Sequence, residues 1–219
     1  MAKLLIFGNS IMAKLAYFYF ANDSAHEVVA FTVDQEYITA DHFLDLPVIP
    51  FHDLVTTFPP TTHKLFIAMG YQKMNKPRAS KYFQAKELGY ELVSYISSKS
   101  IFLSQFPPGD NCFILEGTII QPYARIGNNV FLWSGTQICH DSVVEDHCFL
   151  ASHVVVSGNT HISPYCFIGM NASIRNGITL APETLIGAGA LLMENTIEKS
   201  VYLPQKTIPI PKPSDEIEL

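Results

Sequence analysis

From Ile114 onward every sixth residue is aliphatic for fourteen consecutive steps: Ile114, Ile120, Ile126, Leu132, Ile138, Val144, Leu150, Val156, Ile162, Ile168, Ile174, Leu180, Ile186 and Leu192. Four residues after each comes a small or β-branched side chain, from Thr118 through Cys148 and Cys166 to Thr196, so both registers point inward. The position before this second register is Gly, Asn, Asp or His in eleven of the fourteen hexads; Tyr123, Tyr165 and Glu183 depart. Those four types best tolerate positive φ, so each hexad ends a short strand with a left-handed corner. Such a period predicts a parallel β-helix, with three strands and three corners to an eighteen-residue coil. Fourteen hexads make about 4.7 coils, a prism roughly 22 Å tall at the usual spacing of stacked strands. Pro122, Pro164 and Pro182 each fall two residues after an anchor, where a corner begins and a ladder N–H can be spared.

The 219 residues are long enough for one large or two small domains, and the repeat takes the second half. A net charge of −6 without a basic run argues against nucleic acid or an anionic membrane as the main partner, and favours small polar substrates. Leu4 to Phe20 is apolar, but Gly8, Asn9, Ser10 and Lys14 interrupt it, so neither a signal peptide nor a membrane span is expected. A cytoplasmic protein is expected. Cys112, Cys139, Cys148 and Cys166 form no CxxC pair and read as reduced core thiols.

The first half alternates strand and helix. Residues 3–8 read as a strand ending in Gly, Ile11 to Phe20 as a helix, and His26 to Asp34 as a second strand. Leu46 to Pro50 reads as a short edge strand, Lys64 to Gly70 as a clear strand, Lys76 to Leu88 as a helix, and Glu91 to Ile96 as another strand. This alternation implies a parallel sheet wrapped by helices, a Rossmann-like α/β domain over 1–105, followed by the β-helix and tail over 106–219. In such sheets ligands sit at the carboxyl ends of strands, where helix N-termini offer free N–H groups. Gly8, Asn9, Ser10, Asp34, Gly70 and Tyr71 occupy that place. Gly8 to Ala13 is a degraded G-x-G-x-x-A pattern without its second Gly, which favours a mononucleotide over a dinucleotide. Gly8 fits an ordinary turn, and Asp34 a solvated strand end, equally well. Asn75 and Arg78 are either a helix cap and a surface charge or a phosphate clamp.

Within the repeat, His147 and His153 lie at corners, where positive φ accounts for their type. His140 sits one place earlier, where no backbone demand explains an imidazole. Gly158 lies eighteen residues on, directly above it, and leaves room for the ring. A bare amide beside an imidazole suits acyl transfer: the N–H polarises a thioester carbonyl while the ring takes a proton from the nucleophile. Asp141 can orient that ring. A zinc site among His140, His147, His153 and His161 is the competing reading, but their spacing puts His140, His147 and His153 on three different corners, so no metal is expected.

With these features in hand, the chain resembles the hexapeptide-repeat acyltransferases of nucleotide-linked amino sugars, among them the bacillosamine-pathway and perosamine N-acetyltransferases and the sialic acid O-acetyltransferases. The resemblance implies a left-handed coil, a homotrimer with acetyl-CoA between adjacent prisms, and a nucleotide sugar on the N-terminal domain. It also implies a role in surface glycan (O-antigen) synthesis. By this resemblance His140 matches the general base, Asp141 its acidic neighbour, Gly158 the amide facing the thioester oxygen, and the Asn9–Ser10 turn and Asp34 the nucleotide-binding positions. Ser152, Gly158, Gly169, Gly187 and Ala188 are the expected coenzyme-lining positions, of which all but Gly158 suit coil packing equally well. Two departures stand out. Some members carry a second histidine nine residues after the base, where this chain has Phe149, and Val201 to Lys206 replaces a Gly-x-Pro-Ala end turn. The expected activity is N-acetylation by direct attack on acetyl-CoA. O-acetylation by the same base, or a non-catalytic trimer that binds nucleotide sugar, are the alternatives.

Overall fold

The computed structural model describes residues 2–217. Its N-terminal part runs β1 (Lys3–Phe7), α1 (Ile11–Asn22), β2 (Glu27–Val33), β3 (His42–Phe43), β4 (Leu46–Pro50), α2 (Leu54–Thr57), β5 (His63–Ile67) and α3 (Lys76–Glu87). These strands form one sheet in the order β3-β4-β2-β1-β5, parallel except for β3, which pairs antiparallel with β4. Leu46–Pro50 is therefore next to the edge, capped by a two-residue strand that lacked any sequence pattern. Alternation along β1 sends Leu4 and Ile6 to one apolar layer with Phe20 of α1, and Leu5 and Phe7 to another with Tyr82 and Ala85 of α3.

The repeat folds as a stack of two-residue strands in three parallel sheets. Fourteen of them, β8 to β21, run from Phe113–Ile114 to Leu191–Leu192, and each ends on one of the predicted anchors. Every anchor is buried, and so is every residue of the second inward register except Thr196. Thirteen of the fourteen corner residues have positive φ, including Tyr123 at 67°, Tyr165 at 62° and Glu183 at 57°. Asn195, in the last hexad, does not. The coil shortens there: β22 (Val201–Tyr202) pairs with Leu185–Ile186, sixteen residues back instead of eighteen.

The stack also begins earlier than the anchors imply. β6 (Tyr95–Ile96) and β7 (Ile101–Phe102) lie in register under Phe113–Ile114 and Ile119–Ile120. The single strand expected over Glu91 to Ile96 is thus divided: Leu92 bridges to Leu65 in the α/β sheet, while Tyr95 starts the first coil. No linker separates the two parts. Phe113, Phe131, Phe149 and Phe167, stacked on the outside of the first β-helical sheet, form one layer with the α1 side of the α/β sheet.

Candidate active site

Corner residues of the coil project at three edges of the prism. At the edge between the second and third sheets, His140 Nδ1 lies 2.9 Å from Asp141 Oδ2, and both side chains are more than half exposed. Asp141 takes the corner conformation at φ 58°. The His140 N–H donates to Gln121 Oε1 at 2.9 Å, and its carbonyl accepts from Asn159 N. Gly158 lies against the ring: an ideal Cβ there would be 2.6 Å from both Cε1 and Nε2 of His140. The Gly158 N–H has no acceptor among the described residues. With Nδ1–H held by Asp141, Nε2 is left as the proton acceptor.

The other expected coenzyme positions lie elsewhere on the prism. Ser152 and Ala188 stand at the edge between the first and second sheets, and Gly169 and Gly187 directly follow strands of the first sheet at the start of that same edge. For Gly169 coil packing explains the residue, since a Cβ would meet Ala188 N at 2.5 Å, whereas a Cβ on Gly187 would meet only the movable end of Leu203, Cδ2, at under 3 Å. Within one chain these four residues do not share an edge with His140.

A second concavity of about 500 Å³ opens at the carboxyl ends of β2, β1 and β5. Gly8, Asn9, Ser10, Asp34 and Gly70 line it as expected. Gly8, at φ 130°, packs so close to Ala68 O and Ala13 Cβ that a side chain would collide, so the turn itself demands glycine. Asn9 Nδ2 donates to Tyr37 O at 2.8 Å and draws Tyr37 onto the rim. Asp34 is gripped by Lys81 Nζ at 2.7 Å, a lysine that sequence reasoning missed; it is 8% exposed and lies over the Phe7 and Phe51 rings.

Two expected ligand contacts, Arg78 and Asn75, are corrected by their surroundings. Arg78 is fully buried where α3 meets the β-helix. Its guanidinium donates to Gly70 O, Asn129 Oδ1, Asn129 O, His147 O and Cys148 O at 3.1–3.3 Å, and lies 4.2 Å over the Phe131 ring. All three guanidinium nitrogens donate to protein, so Arg78 is a rivet and not a phosphate clamp. Asn75, also fully buried, donates from Nδ2 to Cys166 O at 3.2 Å. Tyr71 lies outside the cavity lining, with its ring on Phe149 and Phe167 at 4.9 and 4.7 Å. Phe149 is itself 2% exposed in that aromatic layer, which accounts for an apolar ring there.

His147, a corner residue at φ 63°, is buried against Tyr82, Phe83 and Tyr165 and accepts from Asn129 Nδ2. Burial pushes its imidazole down to about 4, so the ring is neutral. Cys112, Cys148 and Cys166 are buried thiols, and burial pushes Cys112 up to about 12. Among the described residues no three His, Cys, Asp or Glu side chains converge as a metal site, and no helix is long and apolar enough to cross a membrane.

Residues 123–158 match the bacterial transferase hexapeptide (six repeats) family. No curated protein matches the chain by sequence. Among solved structures, the acetyltransferase domain of PglB from Neisseria gonorrhoeae superposes with a TM-score of 0.83 at 20% identity, covering 96% of this chain and 100% of that one. A mutant of perosamine N-acetyltransferase from Caulobacter crescentus, in complex with CoA and GDP-perosamine, gives 0.82 at 19%, covering 93% and 94%. WeeI from Acinetobacter baumannii gives 0.78 at 18%, covering 92% and 96%. In fold, this chain resembles the hexapeptide-repeat sugar acyltransferases. The likeness runs through both parts of the chain, the α/β sheet as well as the prism.

Proposed function

We propose that this chain is an acetyl-CoA-dependent N-acetyltransferase acting on the amino group of a nucleotide-linked deoxyamino sugar in surface glycan synthesis. The observation that carries this reading is the His140–Asp141 pair set against the bare backbone of Gly158. The sugar amine attacks the thioester carbonyl, His140 Nε2 takes the proton that the nitrogen loses, and the Gly158 N–H stabilises the developing oxyanion. Asp141 fixes the tautomer and offsets the positive charge that the ring acquires. Thiolate leaves, and no acyl-enzyme forms.

The nucleotide takes the cavity of the Rossmann-like N-terminal part, with ribose hydroxyls against Asp34 and phosphates over the Asn9–Ser10 turn. Ser152 and Ala188 flank the coenzyme of a neighbouring subunit in a left-handed, homotrimeric assembly, which brings their edge against the partner's His140 edge. The second sheet supports this assembly: Ile101, Leu103, Leu191 and Met193 stand 49–68% exposed along it. These side chains stand at the two ends of the sheet, on and just after β7 and β21, and offer a second copy apolar contacts at both ends of the prism.

The direct test is His140→Ala in a coupled thiol-release assay over a panel of nucleotide amino sugars. Turnover falls by several orders of magnitude with the oligomer intact; near-normal turnover removes His140 from the mechanism. Sugars lacking a free amine, run in parallel, separate amine from hydroxyl acceptors.

A further inference from the structure

With Arg78 withdrawn into the interior, the α/β cavity needs another cation if it is to hold phosphate. Its lining orders the chemistry along one line. β1 lies between β2 and β5 in the sheet, so three loops sit side by side. The loop after β2 brings Asp34 and Tyr37, the loop after β1 brings Asn9 and Ser10, and the loop after β5 brings Gln72 and Lys73. Among the described residues, Asp34 is the one carboxylate of the lining and Lys73 the one cation, at opposite flanks of the α1 N-terminus.

Lys73 stands in an unusual piece of backbone. Lys73, Met74 and Asn75 have φ of 46°, 53° and 64°, three consecutive left-handed residues without a glycine. Each costs about 1–2 kcal/mol and persists only where the surroundings over-determine it. They do so here: Asn75 is tied to Cys166 O, Arg78 holds Gly70 O, and Lys76 Nζ pairs with Glu183 Oε2 at 2.6 Å. The β-helix thus clamps both ends of the loop that carries Lys73 into the cavity.

We infer that Lys73 binds the terminal phosphate of the nucleotide diphosphate, the one bonded to the sugar, and that Asn75 and Arg78 act as positioning residues for it. This assignment rests on the nucleotide reading above. Asp34 takes the ribose hydroxyls at one end, the free N–H groups of the first turn of α1 take the inner phosphate, and the Lys73 ammonium closes the far end.

Isothermal titration with UDP, GDP, CDP and dTDP, each beside its monophosphate, tests this on the wild-type chain and on Lys73→Gln and Lys73→Arg. For the base that binds, Lys73→Gln weakens the diphosphate about tenfold and the monophosphate less than about threefold, as expected for one lost charge-assisted contact. Lys73→Arg restores most of the diphosphate affinity. Equal diphosphate affinity in wild type and Lys73→Gln overturns the assignment while the nucleotide site stands. Equal losses for diphosphate and monophosphate overturn its placement on the terminal phosphate. If no member of the panel binds the wild-type chain, the nucleotide reading falls and the Lys73 assignment with it.

Discussion

At Gly158 even a methyl group would sit 2.6 Å from two atoms of the His140 ring, so Gly158→Ala must either push the imidazole off Asp141 or displace the backbone N–H beside it. The ring is more than half exposed and free to swing, so folding survives while geometry is lost. Gly158→Ala is therefore expected to lower turnover by about a hundredfold or more, a typical loss for a misplaced oxyanion donor or base, with little change in melting temperature. Thiol release and a thermal melt on the same preparation check both halves of that statement. This pair was legible in the sequence because eighteen-residue arithmetic stacks side chains without knowledge of the fold's other contacts. Arg78 was not. An arginine two residues into a helix looks the same whether it faces phosphate or another part of the chain, and only the docked prism shows that five carbonyl and amide oxygens await it. Lys81 was missed for the same reason: its aromatic partners, Phe7 at the end of β1 and Phe51 just after β4, are distant in sequence.

Between elements, the joint is built on one corner column of the coil. Asn111, Asn129 and His147 stack at successive corners; Asn111 bonds the backbone of Ile67, and Asn129 links Asn111, Arg78 and His147. Positive φ alone would explain these residue types, so the sequence marked Asn129 and His147 as corners but gave no hint that Asn111 begins their column or that the column receives α3 and β5. Arg78→Met removes the donor common to that network. The acceptors left behind are buried, so a loss on the order of 3 kcal/mol is expected, read by urea denaturation. His147 gives the joint a pH dependence. Desolvation lowers its imidazole from 6.5 to about 4, with Arg78 adding to the shift and Asp146 and Asp110 opposing it. Below pH 6.5 the unfolded chain takes up a proton that the folded chain refuses until about pH 4. This contribution to stability is therefore intact above pH 6.5 and drains away as the pH falls toward 4, by up to about 3 kcal/mol. His147→Asn keeps a side chain suited to φ 63° and removes the titration. Stability measured at pH 7 and pH 4.5 should differ less in this variant than in the wild type, and an unchanged difference would assign the acid sensitivity to another group.

For the whole molecule, the division of chemistry between edges decides what an active particle must be. His140, Asp141 and Gly158 share one edge of the prism, Ser152 and Ala188 another, and the α/β cavity is lined by residues of the N-terminal part alone. On the proposed function, a single chain cannot bring these surfaces to one reacting carbonyl, whereas neighbouring copies packed through their second sheets can. The hexad pattern foretold the prism but not this face, because outward strand positions carry no periodic constraint; Ile101 and Leu103 at one end of the second sheet and Leu191 and Met193 at the other come onto one side of the prism only once the coils are stacked. A charge at one end of that sheet isolates the prediction. Leu191 is 68% exposed in the chain, so Leu191→Lys costs the monomer's fold little, but in the assembly it would bury an unpaired ammonium. Light scattering should then report monomers in place of trimers, with an unchanged far-UV spectrum. Nucleotide binding should persist, because its cavity lies within one chain, and acetyl transfer should be lost, because the coenzyme has only half its walls. A monomeric Leu191→Lys protein that still released thiol at the wild-type rate would mean that one prism edge suffices, and the intersubunit placement of the coenzyme would have to be abandoned.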